Sequence, residues 1–140
     1  MSVYFDASIL VSLFIDDDSN EKAEAYLRDA SPTVCLSDFA AAEFSSALNR
    51  RVRMGLLPAR EARAAFGEFD VWRTRGVILM GTTAADIATA DSYLRRLDLP
   101  LRTPDALHIA IADRAAAPLA TFDKKMAECA KTLGVAVAPI

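Results

Sequence analysis

The chain has few of the residues that usually mark a specialised site. It holds two cysteines, Cys35 and Cys129, far apart and without a CxxC or histidine partner spacing. That excludes a disulfide framework and fits reduced thiols in an intracellular protein. A single histidine, His108, leaves no His/Cys cluster for zinc. No stretch approaches the ~20 apolar residues of a membrane span. The apolar run from Ile9 to Ile15 follows Asp6 and precedes Asp16-Asp17-Asp18. It lacks a basic n-region and a small-residue cleavage site, so it is not read as a signal peptide. Repeats, low-complexity tracts and Gly/Ser linkers are also missing. The expectation is one domain over residues 1–140 and a cytoplasmic location.

What is present is a core-forming composition. Hydrophobic residues make up 53% of the chain and charged residues 25%, which excludes disorder. The net charge is only −3, but it is unevenly spread. Residues 1–49 carry two basic and nine acidic side chains, whereas residues 50–75 carry seven arginines against three acids. An acidic part beside an arginine-rich one is compatible with a metal site flanked by a phosphate-gripping surface, and equally with a solvated helix face.

Short strand candidates at 2–5, 33–36, 76–80, 118–121 and 135–138 alternate with Ala-rich helical segments. These segments are placed at 7–15, 20–30, 38–54, 58–74, 83–97, 104–116 and 124–132. Alternating βα units predict an α/β fold, and crossovers of that length require parallel pairing. Ser37 can cap the third helix and Gly55 can end it; Pro58 opens the fourth, and Thr103 with Pro104 opens the sixth. Ala62, Ala65, Phe66, Phe69 and Trp72 form a packing stripe that, with Leu48, Val52 and Leu56, fits either a core or a subunit interface.

Four acids stand at telling positions. Asp6 follows the first strand, Asp105 lies in the first turn of a helix, and Asp123 ends a late strand. Glu43 interrupts a small, apolar helical face with Phe39, Ala40 and Ala47. Each has an ordinary explanation: helix caps for Asp6 and Asp123, the helix dipole for Asp105, an ion pair for Glu43. In an open parallel sheet, however, residues just past the carboxyl ends of strands meet in one crevice. Carboxylates gathered there repel one another unless cations bind between them, and hard oxygen donors suit Mg²⁺ or Mn²⁺.

The combination Asp6-x-Ser8, Glu43 within a helix, Asp105-Ala106-Leu107-His108 and Thr121-x-Asp123 resembles the PIN-domain nucleases, and more narrowly the VapC-type toxins of bacterial toxin–antitoxin pairs. The likeness runs over essentially the whole chain. It implies a three-layer α/β/α fold with a parallel five-stranded sheet and a metal-dependent endoribonuclease. A homodimer held inactive by a small antitoxin is implied too. On that likeness Asp6 and Asp105 bind one Mg²⁺ or Mn²⁺ directly, and Glu43 and Asp123 complete the site, orient water or hold a second cation. All four are then catalytic and metal-binding, and in-line attack on RNA leaves a 5′-phosphate and a 3′-hydroxyl. Ser8 and Thr121 are candidates for bonding the carboxylates or a substrate phosphate oxygen. His108 is read as a packed helix histidine outside the catalytic set. Arg50, Arg51, Arg53, Arg73, Arg75 and Arg102 are candidate phosphate contacts.

Other functions fit less well. A receiver-like signalling domain needs paired acids at the first strand, and Asp6 stands alone there. An aspartyl phosphatase wants Asp-x-Asp, and residue 8 is serine. A PIN-like domain that only binds, or a PIN nuclease of RNA processing without an antitoxin, shares the same acids.

Overall fold

Alternation of side chains along each strand divides the core in two. Val3, Phe5, Val34, Leu36 and Ala120 face one layer with Leu10, Phe44, Leu48 and Phe69. Tyr4, Cys35 and Leu119 face the opposite layer with Ala106, Ile109, Ile111 and Met126. A strand buried on both faces is a continuous apolar run, which is what Val3-Tyr4-Phe5 and Val34-Cys35-Leu36 are. The computed structural model describes residues 1–140. The order is β1 (Ser2–Phe5), α1 (Ala7–Phe14), α2 (Asn20–Ala30), β2 (Thr33–Ser37), α3 (Asp38–Arg53), α4 (Ala59–Trp72), β3 (Ile78–Met80), α5 (Ala84–Leu94), α6 (Thr103–Ala115), β4 (Leu119–Ala120) and α7 (Lys124–Thr132). Helices α1, α3 and α4 cover the first face and α5, α6 and α7 the second, giving three α/β/α layers.

The sheet is parallel, in the order β3-β2-β1-β4. Tyr4 registers with Cys35 on one side and Leu119 on the other. Strand order therefore reverses between β1 and β4, and the carboxyl ends of those strands form the switch-point crevice.

Two expectations need correction. The sheet has four strands, not five: the segment expected at 135–138 contributes one parallel bridge, Val137 to Leu119. The reason lies in β4. Pro118 offers no donor at its start. After Ala120 the chain turns into hydroxyl-bonded contacts at Thr121 and Asp123, so only Leu119 has backbone left to pair outward. Helix α6 is not capped by Thr103: Arg102 is the extended residue before it, and the Asp105 carboxylate accepts from the Arg102 N–H at 3.1 Å.

The other boundary signals act as expected. Ser37 Oγ accepts from the Ala40 N–H at 2.9 Å, and Gly55 (φ +72°) takes the left-handed turn after α3. Pro58 precedes α4, and both cysteines are free and buried. In the α4 stripe Ala62, Ala65 and Phe69 are core, with Phe66 and Trp72 packed against them; Leu56 is exposed. No helix is long and apolar enough to cross a membrane.

One ion pair ties α5 to α6. The Arg114 guanidinium donates to buried Asp86 at 2.7 and 2.9 Å, and also to the Gly81 carbonyl at 2.9 Å. Burial pushes the Asp86 carboxyl up, but Arg114 and the Thr83 cap outweigh it and hold it below the ordinary 3.8. Arg114→Met is expected to cost about 2 kcal/mol in urea unfolding at pH 7, under the ~3–5 kcal/mol of a fully buried pair because Arg114 is partly solvated. A depressed folded-state pKa means the stabilisation is complete above the unfolded value and fades as pH falls through the folded one. The deficit of the variant should therefore shrink below about pH 4; a deficit that grows on acidification would contradict the assignment.

Candidate active site

Asp6 is the first residue past β1 and the N-cap of α1. Its carboxylate is 2% exposed. Oδ1 accepts from Ser8 Oγ at 2.6 Å and from the Ile9 N–H at 3.2 Å; Oδ2 accepts from Thr121 Oγ1. Burial pushes the Asp6 pKa up, and the Ser8 and Thr121 hydroxyls only partly offset it. None of these partners carries a positive charge. A buried carboxylate held by neutral donors alone is a place where a cation is strongly favoured.

Ser8 and Thr121 are more than local caps. Ser8 Oγ also accepts from the Phe122 N–H, and Thr121 Oγ1 from the Asp123 N–H, both at 2.9 Å. The two hydroxyls thus brace the start of α1 against the turn that leaves β4. That turn delivers Asp123, which is exposed and caps α7 through the Met126 N–H at 3.1 Å.

Glu43 reaches the same edge from the second turn of α3 and is bonded through Oε1 to Nε2 of His108 on α6. The ring is 1% exposed. Its Nδ1 lies 2.8 Å from Tyr4 Oη, and Tyr4 Oη lies 2.8 Å from Ser37 Oγ. Burial drives the Tyr4 phenol pKa far up, so it keeps its proton and remains a donor. Asp105 is half-buried and engages the Arg102 N–H through one oxygen. The charges of Asp105 and Asp123 both bear on the Cys129 thiol, whose pKa is raised first by burial and then by them.

The structure thus gathers Asp6, Ser8, Thr121 and Asp123 by direct bonds, while Glu43 belongs to a separate network with His108, Tyr4 and Ser37, and Asp105 to neither. No three His, Cys, Asp or Glu side chains stand close enough in this conformation to share one ion. The donors nevertheless fit a hard divalent cation: all are carboxylate oxygens, and no hydrogen-bond partner of Asp6 is an Arg or Lys.

The arginines are spread out. Arg50, Arg51 and Arg53 lie in the last turn of α3, about 10–15 Å along the helix axis from Glu43. Arg51 faces Asp17 at 3.8 Å, and Arg73 pairs with Asp70 at 3.0 Å while lying over the Phe69 ring. Only Arg102, exposed beside Asp105, stands next to an acid of the crevice. A surface hollow of about 240 Å³ opens on the β3 side, beside Ser37, Asp38 and Arg73, and includes none of the four acids.

Sequence reasoning missed the partnership of Glu43 with His108 and the parts of Tyr4 and Ser37 behind it. The available signal was a tyrosine and a histidine in otherwise apolar buried runs, each needing a polar partner.

A parallel α/β/α sandwich with acidic side chains at its switch point is an architecture that several families share. The PIN-domain family model matches residues 3–132, and the chain belongs to that family. Ribonuclease VapC46 of Mycobacterium tuberculosis is 32% identical over 139 residues, covering 97% of this chain and 95% of that protein. Among solved structures, VapC20 of M. tuberculosis, described as a sarcin-ricin loop cleaving toxin, superposes with a TM-score of 0.76 at 21% identity over 99% of both chains. VapBC2 of Rickettsia felis, bound to a DNA fragment of its promoter, gives 0.69 at 14% identity over 99% of this chain and 98% of that one. At those identities the two structures share the fold.

Thr121→Val removes the donor to Asp6 Oδ2 and the acceptor of the Asp123 N–H, and is expected to cost about 1–3 kcal/mol in urea unfolding. Ser8→Ala should cost a similar amount. Because both act on one carboxylate, a double-mutant cycle should show coupling of at least about 0.5 kcal/mol. Strict additivity would mean that the two hydroxyls do not share Asp6.

Proposed function

We propose that this chain is a divalent-metal-dependent endoribonuclease and the toxin of a toxin–antitoxin pair. The observation that carries the proposal is Asp6: a buried carboxylate at the switch point of a PIN fold, held by neutral donors alone. The full-length similarity to a protein named Ribonuclease VapC46 supports RNA as substrate. Structural likeness to toxin–antitoxin assemblies such as VapBC2 supports a small antitoxin as partner. A single domain, a homodimer and a cytoplasmic site of action complete the reading.

Asp6 and Asp105 would hold the cation, Mg²⁺ or Mn²⁺, with Glu43 and Asp123 completing the site. When bound, the cation offsets charge growing on the scissile phosphate and makes the attacking water a better nucleophile at neutral pH. The chain's own residues do the positioning. Ser8 and Thr121 hold both oxygens of Asp6, so that carboxylate cannot rotate away from the crevice. Glu43, half-exposed, offers an acceptor for a proton of the attacking water. Thr121 and Ser8 also border the place a phosphate oxygen would take. Arg102, exposed beside Asp105, is a candidate cation for a flanking phosphate. Attack in line with the leaving 3′-oxygen gives a 5′-phosphate and a 3′-hydroxyl.

Purified protein is expected to cut a mixed RNA pool in Mg²⁺ or Mn²⁺ and to stop in EDTA. Asp6→Ala, checked for folding, should lose more than the ~10–100-fold typical of changes around a metal site, because it removes a ligand itself. Equal cutting by wild type and variant would overturn the assignment. Mn²⁺ at 100 times its dissociation constant should also stabilise the wild type by about 2.7 kcal/mol and leave Asp6→Ala nearly unchanged.

A further inference from the structure

Of the four acids, Glu43 alone is placed by nothing local. Asp6 and Asp123 cap helices, and Asp105 bonds the backbone at the start of its own helix. Glu43 sits inside α3, where its flexible side chain has neither a cap nor a strand end to aim it. Its protein partner is His108 Nε2, 65 residues away in the chain.

The ring that makes this bond is itself fixed. It lies between Phe39 and Tyr4, with ring centroids at 4.9 and 5.9 Å. Hydrogen positions along the network follow from what each atom can do. A carboxylate only accepts, so Nε2 carries the ring proton and donates to Glu43. In the Nε2–H tautomer the ring accepts at Nδ1, which requires the proton of Tyr4 Oη. Tyr4 Oη must therefore accept from Ser37 Oγ, which in turn accepts from the Ala40 N–H. Every donor and acceptor is used once, and no buried side-chain polar atom lacks a partner. The circuit starts at the N-cap of α3, passes through β1 and α6, and returns to α3 at Glu43.

We infer that His108 is a positioning residue: as the Nε2–H tautomer, locked by Tyr4 and Ser37, it aims the Glu43 carboxylate into the crevice for the divalent cation. This rests on the metal-dependent reading above. Groups that hold a ligand's second atom set its orientation and basicity, and their loss typically weakens metal binding.

The isosteres of the two ring nitrogens separate hydrogen bonding from packing. In H108Q the amide can replace Nε2 and still donate to Glu43. In H108N it can replace only Nδ1, which meets Tyr4. Mn²⁺ affinity, read by electron paramagnetic resonance on the full chain without RNA, should fall about 10–100-fold in H108N and stay within about threefold of wild type in H108Q. Because His108 is the only histidine, ¹⁵N-histidine labelling of the wild type gives one ring's signals. They should show a protonated Nε2 and an unprotonated, hydrogen-bonded Nδ1, a readout that stands even if H108N fails to fold. Unchanged affinity in H108N, equal loss in both variants, or an Nδ1–H tautomer in the wild type would each overturn the inference. A wild type that binds no Mn²⁺ would bring down the metal reading itself, and the inference with it.

Discussion

The arrangement depends on keeping one carboxylate, Asp6, out of water without a counter-ion. An ionised carboxylate moved into a protein interior is costly, and neutral hydrogen bonds recover only part of that cost. The chain meets this with three donors from two places: the first turn of α1, through Ser8 and the Ile9 N–H, and the turn after β4, through Thr121. Those places adjoin only because β4 pairs with β1 on the side away from β2. The strand order thus serves the site. A sheet in chain order would leave Thr121 far from Asp6. In the proposed function, the positive charge that Asp6 favours would come from the divalent cation.

A second polar layer runs behind the first and solves a different problem. Tyr4, Ser37 and His108 are buried polar groups in a chain whose core is mostly aliphatic and aromatic. A buried network is stabilising only when every member is satisfied, and a half-satisfied one is worse than an apolar core. Here the groups satisfy one another and end on Glu43 at the solvent edge. Such a closed circuit specifies the relative placement of α3, β1 and α6 more sharply than apolar packing, which tolerates sliding. The Asp86–Arg114 pair adds a similar constraint between α5 and α6 at the layer's outer side. Apolar packing supplies the bulk of the driving force on both faces, through Phe44 and Phe69 on one and Ile109 and Ile111 on the other. The polar circuits supply the registration.

Much of the fold is legible in the amino-acid sequence. Helices such as 20–30 and 124–132 agree to the residue, and for 124–132 the reason is the Asp123 cap, which acts on the Met126 N–H one turn away. Ser37 and Gly55 act as expected for that reason. Sequence reasoning fails where the decision is not local. Whether residues 135–138 form a strand depends on how much free edge β4 leaves, and β4 is cut short by its own turn at Thr121. The cap of α6 falls at Arg102 rather than Thr103 because Asp105 folds back on that backbone, a choice between two polar residues that spacing does not rank. The acids are legible as positions: Asp6, Asp105 and Asp123 at element edges, Glu43 in mid-helix. Their partners are not. The arginines of 50–53 look adjacent to Glu43 in sequence, yet the rise of α3 carries them to its far end.

The layers, the parallel pairing and the four acidic positions are set by the sequence alone, since they follow from apolar periodicity and short-range capping, which act over a few residues. That Thr121 holds Asp6, that His108 faces Glu43, and that Tyr4 closes the circuit from Ser37 are settled only in three dimensions. Those are bonds between residues 33 to 115 positions apart. Side-chain hydrogen bonds reach about 3 Å and require alignment, so the order of strands and the packing of α6 on the sheet select the partners.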